Sequence, residues 1–370
     1  MDVPQHRSTD ITAGAEAKSM VNSEIPGKRA TIHDVARAAN VSPATVSLVV
    51  HDKGQLSKPT RERVMEAIDA VGYEPRRIEG RPRRRRQSMY CLVVDDIRNP
   101  YFHELYKGIT DALDPAEAIV TIASTEDQIE RQTLVLDNLA QSSVDGVIVV
   151  PASGAQPEDL EKLANTDIPH LLVVRNIGHG ALDYIGGNPM LGTVMAAEHL
   201  IALGHRRIAF VGGYVNNFAF HERYVGFIST MMKHNIPVED GFIVNGGSTK
   251  AFGREAASRL LNGPDRPTAF LGYNDLVAIG IMNAISDMGL MVGKDIAVVG
   301  YDDIPEAADQ PVALTTIATP AYQLGKIVAN SLSRMSMEAG RSPINITFPP
   351  TLVKRESCGA TRYWKDGNDR

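Results

Sequence analysis

Two groups of residues in this chain have side chains and spacing suited to chemistry. The first lies in Thr31–Val50, TIHDVARAANVSPATVSLVV, and about thirty residues on, in the run Arg83-Arg84-Arg85-Arg86. Arginines attract phosphates regardless of sequence. The second group sits where strands are expected to end: Tyr101 and Phe102, then Arg223, Asn274 and Asp302. An aromatic pair with an Arg, an Asn and an Asp makes a small polar pocket with apolar walls. A strand-end acid or amide can also simply cap the next helix, and Asp275 and Asp303 are read that way, whereas Arg223 and Asp302 are read as ligand contacts. No Walker loop, no GxGxxG after the first body strand, no HExxH and no GxSxG is present. His103, His199, His205 and His221 have no metal-ligand spacing with Cys, and His199 and His205 read as helix-surface or structural residues. The reading is therefore a binding protein, with no catalytic residue, no metal and no cofactor.

The first group needs short helices to present it. Thr31 can cap a helix with Asp34 three residues on, near to a capping box. Ile32, Val35, Ala36 and Ala39 recur at helical spacing, and Asn40 tolerates the left-handed exit. Ser42 caps a second helix with Pro43 at its first position, and Val46, Val49 and Val50 give it a buried side. A third helix runs from Lys58 to Val71 behind Ser57, with Val64, Ile68 and Val71 inward. Three short helices around one core, with a tight turn, make a helix-turn-helix that enters the DNA major groove.

Charge supports that partner. Lys28 to Ser88 holds fourteen Lys or Arg and seven Asp or Glu, a net of +7, while residues 1–27 carry −2 and the chain as a whole −6, leaving −11 from Met89 onward. Only the head suits a polyanion. Cys91 and Cys358 are the only cysteines, which excludes a disulfide framework and fits a reducing cytoplasm. No apolar run is long enough to span a bilayer and the N-terminus has no signal-peptide core, so no membrane partner is expected. Residues 1–27, polar and rich in small residues, read as a disordered extension, with Met20 a second candidate start.

From Met89 onward short apolar strands alternate with amphipathic helices. Strands are expected at Met89–Val94, Ala118–Ala123, Gly146–Val150, Leu171–Val174, Arg207–Gly212, Phe242–Asn245, Thr268–Gly272 and Ile296–Gly300. Helices are expected at Phe102–Ala112, Ile129–Gln141, Met190–Leu203, Arg223–Lys233, Arg254–Leu261, Leu276–Met288 and Tyr322–Met337. The alternation predicts βαβ units and parallel sheets, and this many strands suit two sheets. Ligands in such sheets bind beyond the carboxyl ends of the strands, so two facing domains would form a cleft.

From Thr31 to about Thr361 the chain resembles the lactose-repressor (LacI/GalR) family of bacterial transcription regulators. The carrying motifs are TIHDVARAANVSPATVS, NPYF after the first body strand, EHLIALGHRRIAFVGG at Glu198–Gly213, FLGYNDLVAIG and VVGYDD. The resemblance implies an N-terminal all-α helix-turn-helix domain (28–74), a hinge (75–88) and an α/β two-lobed, periplasmic-binding-protein-like effector domain (89–363), then a tail (364–370). It implies lobe crossovers near 186–188, 318–320 and 349–350. It implies a homodimer on a pseudo-palindromic double-stranded operator, switched by a small molecule in the cleft, with tetramers disfavoured because no heptads follow the core.

By position, Thr31, Ser42, Pro43, Ala44, Thr45, Ser47, Leu48, Ser57 and Arg61 would face DNA. Pro43 and Ala44 offer only apolar contact, such as to a thymine methyl. Leu48 stands where relatives usually carry Arg, which removes a bidentate guanine contact. In the hinge, Pro82 stands where relatives wedge a Leu into the minor groove. Gly80 and Pro82 disfavour helix by roughly 1 and 3 kcal/mol. A shorter hinge helix is expected, with Pro82 as an apolar wedge and Arg83 and its neighbours contributing more of the affinity. In the cleft, Tyr101 and Phe102 would stack on the ligand, Arg223 and Asp302 would bridge vicinal hydroxyls, and Asn274 would assist, which favours a sugar or polyol. Val174, Asn217 and Ala219 stand where relatives carry further polar contacts, so a more apolar pocket than usual is expected.

Competing readings are an effector-independent DNA-binding regulator, a sugar-binding protein of a transport system, and an enzyme on the same fold. The second would lack the DNA-binding head, and the third would need a general base or metal cluster in the cleft.

Overall fold

The computed structural model describes residues 31–50, 56–73, 87–115, 117–177, 182–239, 241–335 and 342–359. The expected extension 1–27, most of the hinge with Gly80, Pro82 and Arg83–Arg86, and the tail 364–370 lie outside the described residues. The chain divides into two compact units, residues 1–85 and 86–370.

The first unit contains α1 (Ile32–Ala39), α2 (Pro43–Val50) and α3 (Lys58–Val71). The Asp34 carboxylate accepts from the backbone N–H of Thr31 at 2.9 Å and from its hydroxyl at 2.7 Å, which satisfies the start of α1. Asn40 leaves the helix at φ 51°, in the left-handed region. Ser42 Oγ accepts from the Thr45 N–H at 3.0 Å to start α2. Val35, Ala36, Ala39, Val46, Val49, Val50, Val64 and Ala67 form one small buried core, against which Ile68 and Val71 pack half-buried.

The second unit holds two six-stranded sheets. The first has the order β11-β5-β4-β3-β1-β2 and is parallel throughout, from β1 (Ser88–Val94), β2 (Ala118–Ser124), β3 (Gly146–Val149), β4 (His170–Val173), β5 (Tyr184–Gly187) and β11 (Asn345–Phe348). The second has the order β12-β10-β9-β8-β6-β7, from β6 (Ile208–Val211), β7 (Ile243–Val244), β8 (Ala269–Gly272), β9 (Ala297–Asp302), β10 (Thr315–Ala318) and β12 (Thr351–Val353). Only β12 runs antiparallel in it, against β10. The helices are α4 (Tyr101–Ala112), α5 (Ile129–Ala140), α6 (Glu161–Ala164), α7 (Pro189–Ala202), α8 (Phe218–Lys233), α9 (Lys250–Asn262), α10 (Asp275–Asp287), α11 (Pro305–Ala308) and α12 (Ala321–Met335). Central strands such as Val147–Val149 and Phe270–Leu271 are fully buried, as expected where helices cover both faces.

The chain passes between the sheets three times: after Gly187, after Ala318, and between Phe348 and Thr351. After the second passage α12 returns to the first lobe and packs on α4. Gly108 and Gly325 permit the close approach: a Cβ on Gly108 would lie 2.0 Å from the Tyr322 carbonyl oxygen, and one on Gly325 2.2 Å from that of Leu105. Strands β5, β10, β11 and β12 have no counterpart among the sequence expectations. Each has four residues or fewer.

Candidate effector pocket and DNA-facing helix

In the first unit, α2 presents Ser42, Pro43, Ala44 and Leu48 to solvent, with Thr45 and Ser47 half-buried. Leu48 is 39% exposed, an uncommon place for a large apolar side chain on an eight-residue helix. Thr31 and Ser57 are exposed at the N-caps of α1 and α3, and Arg61 lies half-buried on the first turn of α3. Helix starts gather unsatisfied backbone N–H groups, which favour an anion nearby. Pro82 and Arg83 fall outside the described residues.

In the second unit, Tyr101, Phe102, Arg223, Asn274 and Asp302 all line one cavity of about 410 Å³. It lies at the carboxyl ends of β1, β4, β8 and β9, with the start of α9 closing one side. Tyr101 and Phe102 are buried at the start of α4, with ring centroids 5.6 Å apart and edge-to-face.

Arg223 is not at a helix start, as the sequence suggested, but in the second turn of α8. That helix begins at Phe218, because Asn217 Oδ1 accepts from the Ala219 N–H at 2.8 Å and so caps it five residues earlier than expected. The Arg223 guanidinium is held between two tyrosine rings, with Cζ 3.7 Å from the Tyr301 centroid and 4.5 Å from that of Tyr273. It donates to the Tyr273 carbonyl and pairs with Asp302 at 3.5 Å. Its Nε is buried without a hydrogen-bond partner among the described residues. Burial pushes the Asp302 carboxyl up to about 6 against the pull of Arg223, and the nearby Asp95 carboxylate adds to the rise. Asp302 and Asp303 both adopt positive φ, 113° and 58°. Adjacent residues in sparsely populated regions store strain that the surrounding packing must hold.

The capping assignments change. Asn274, not Asp275, caps α10, through Oδ1 to the Val277 N–H at 3.0 Å. Asp275 is buried and accepts from the Ile304 N–H at 2.9 Å and the Thr316 hydroxyl at 2.5 Å, tying the β9–α11 turn to β10. Asp303 pairs with Arg355 at 2.7 Å. His199 contacts Cys358 Sγ at 3.2 Å and His205 contacts Thr268 Oγ1 at 3.0 Å, both structural.

Sequence reasoning missed a polar chain across the cleft. Arg175 pairs with Asp95 at 2.5 Å and with Asp127 at 2.6 Å, and donates to the Pro151 carbonyl at 2.8 Å. Asp127 accepts from Ser153 Oγ at 2.6 Å, and Ser153 in turn accepts from the Asn217 amide of the second lobe at 2.9 Å. Val174, beside Arg175, holds φ 66°, an outlier for a β-branched residue. Charged residues beyond those named from sequence line the cavity: Asp95, Arg175, Lys250 and Glu306 stand beside Arg223 and Asp302, with the Asp96–Arg98 pair at 2.8 Å. Asp95 directly follows β1 and Arg175 lies two residues past β4, strand-end positions that could have flagged both. Ala219 lines the cavity, whereas Asn217 serves as cap and lobe link.

No group of three or more His, Cys, Asp or Glu among the described residues could hold a metal, and no helix among them is long and apolar enough to cross a membrane.

A helix-turn-helix head joined to a two-sheet α/β domain with a strand-end pocket defines the class of ligand-binding DNA regulators. Residues 31–76 match the bacterial regulatory proteins, lacI family, and residues 197–358 match the periplasmic binding protein-like domain. The HTH-type transcriptional regulator DegA of Bacillus subtilis (strain 168) is 31% identical over 333 residues, covering 89% of this chain and 98% of the relative. A lac repressor dimer bound to operator and the anti-inducer ONPF aligns with a TM-score of 0.65 at 28% identity, over 90% of this chain and 99% of that one. The transcriptional regulator CelR in complex with cellobiose aligns with a TM-score of 0.66 at 26% identity, over 89% and 100%. This chain belongs to the LacI family of bacterial regulatory proteins. It is a DNA-binding transcription regulator and not an enzyme.

Proposed function

We propose that the protein is a cytoplasmic repressor that binds a pseudo-palindromic operator as a homodimer and is controlled by a small polyhydroxylated molecule, a sugar or polyol, in the cleft. The observation that carries the ligand assignment is Arg223, fixed between Tyr273 and Tyr301 and paired with Asp302, on the wall of the cavity that Tyr101 and Phe102 also line. A guanidinium and a carboxylate side by side can each bridge neighbouring hydroxyls, while the aromatic faces cover the apolar side of a sugar ring. The cellobiose complex of CelR and a ribose-bound LacI-family regulator from Enterococcus faecium support this ligand class.

On the DNA side, Thr31, Ser42, Thr45, Ser47, Ser57 and Arg61 hold phosphates and Pro43, Ala44 and Leu48 make apolar contacts to bases, with Pro82 and Arg83 at the hinge. Two symmetric heads then read two half-sites. Ligand entry changes the lobe angle and through it the spacing of the two heads.

The test is a thermal-shift screen of the full chain with sugars and polyols, followed by anisotropy titration of an operator selected from random duplexes. A stabilising sugar that also shifts operator affinity supports the proposal through linkage. Operator binding that no sugar or polyol changes refutes the effector assignment.

A further inference from the structure

We infer that Asn217 is a positioning residue: it ties the helix that carries Arg223 to Ser153 of the first lobe and so holds the cleft closed, a role that rests on the cleft being the effector site and the lobe angle being the switch.

Asn217 uses the two ends of its side chain on different lobes. Oδ1 accepts from the Ala219 N–H at 2.8 Å and caps α8 within the second lobe. Nδ2 donates across the cleft to Ser153 Oγ at 2.9 Å. A carboxamide asked for one acceptor and one donor has a single orientation that meets both. Both residues are buried, Asn217 3% and Ser153 6% exposed, so water competes little for the bond. Ser153 is prepared to accept it. Its one hydroxyl proton goes to Asp127 Oδ2 at 2.6 Å and its backbone N–H to Asp127 Oδ1 at 2.8 Å, which leaves the hydroxyl oxygen for Asn217. Asp127 is itself set by left-handed backbone at Glu126 and Asp127, φ 52° and 57°, and by its own N–H on the Asp95 carbonyl at 2.9 Å. Residues held in such sparsely populated regions gather at clamps and switches.

The bond joins opposite walls of the effector cavity without touching the ligand. Arg175 lines the cavity from the first lobe and pairs with Asp127, the carboxylate that orients Ser153. Arg223 lines it from the second lobe, on the helix that Asn217 caps. Asn217 itself does not line it; with Arg175 it borders a second cavity of about 160 Å³. It therefore acts on the ligand through the placement of Arg223. A ligand that touches both lobes favours the closed form, and the bond between Asn217 and Ser153 breaks when the lobes part. A bond made only in the closed form raises the population of that form before the ligand arrives. A hydrogen bond between neutral groups shifts such a ratio by roughly two- to tenfold.

Paired spin labels read the lobe separation in the full chain without ligand. Cys91 and Cys358 are buried and take no label, so the exposed positions Glu161→Cys on the first lobe and Met232→Cys on the second carry the pair. Ser153→Ala removes the acceptor. Asn217→Ser keeps an oxygen to cap α8 but is too short to reach Ser153. Each should raise the ratio of open to closed separations roughly two- to tenfold over the labelled natural chain. Ser153→Thr, which keeps the hydroxyl, should hold the closed separation. A sugar or polyol found in the thermal-shift screen should bind Ser153→Ala and Asn217→Ser more weakly by the same factor. Separations unchanged in both variants, or a Ser153→Thr that opens as far as Ser153→Ala, overturn the role of Asn217. A sugar that closes the natural chain and both variants with equal affinity also overturns it and leaves the effector reading standing. Lobes that open in the variants yet respond to no sugar or polyol support the role of Asn217 and overturn the effector reading.

Discussion

Replacing Asp302 by Asn should make the free protein more stable while weakening its ligand. Asn keeps the shape and tolerates positive φ, so the change isolates the charge. The carboxyl sits at about 6 in the folded chain against an ordinary 3.8. That shift of about two pH units corresponds to about 3 kcal/mol against the ionised folded state. Well below pH 3.8 the carboxyl is protonated in folded and unfolded chains alike and costs nothing. As pH rises from 3.8 toward about 6, the unfolded chain ionises first and stability falls. Above about 6 the loss is complete. Urea unfolding should therefore show Asp302→Asn gaining up to about 3 kcal/mol at neutral pH and nothing well below pH 3.8. Ligand affinity should fall at least about tenfold, because a charged hydrogen-bond partner is removed. A variant less stable than the natural chain at neutral pH, with the gap widening as pH rises, refutes the reasoning. It would show that attraction to Arg223 outweighs burial.

Other perturbations separate the parts of the molecule. Arg223→Ala should abolish the ligand-induced change in operator affinity while operator binding itself survives; anisotropy titrations with and without ligand check this, and a normal response refutes the assignment. Substituting Arg83–Arg86 by Ala should weaken operator binding and reduce the slope of log affinity against log salt by up to roughly 3 to 4 per chain, and an unchanged slope excludes them from phosphate contact. Leu48→Arg should change which bases are preferred in duplex selection, toward guanine opposite that position. Gly108→Ala should destabilise by about 1–3 kcal/mol or more in urea unfolding, since its methyl meets the Tyr322 carbonyl of α12.

The helix-turn-helix could be read from sequence because its signals are local. Thr31, Asn40, Ser42 and Ser57 act on their own helix ends, as capping chemistry requires. Long buried strands were equally plain. Tyr184–Gly187, with two glycines, and Asn345–Phe348, largely exposed at a sheet edge, carry little hydrophobic pattern, and only tertiary pairing makes them strands. The start of α8 is hard to place from sequence because Phe218–Glu222 reads apolar and mixed, although Asn217 stands there as its cap. Within the cleft the residues named from sequence do converge on one cavity. Its charge did not follow from sequence, since Asp95, Asp127 and Arg175 lie far apart in the chain and only the fold joins them. Nor could it show that Asp275 reaches across to Ile304 and Thr316 rather than capping its own helix.

The three passages between the sheets bear on how the chain must be made. The first lobe takes β11 and α12 from residues 321–348, after the second lobe has been threaded almost entirely. A nascent chain that has emerged only to Gly187 therefore holds a first lobe with a strand missing from its sheet edge and the face of α4 bare at Leu105 and Ile109, both fully buried in the finished protein. Neither lobe can be completed in order of synthesis, and ribosome-bound or truncated chains ending before Ala321 should expose that apolar face to chaperones and to aggregation.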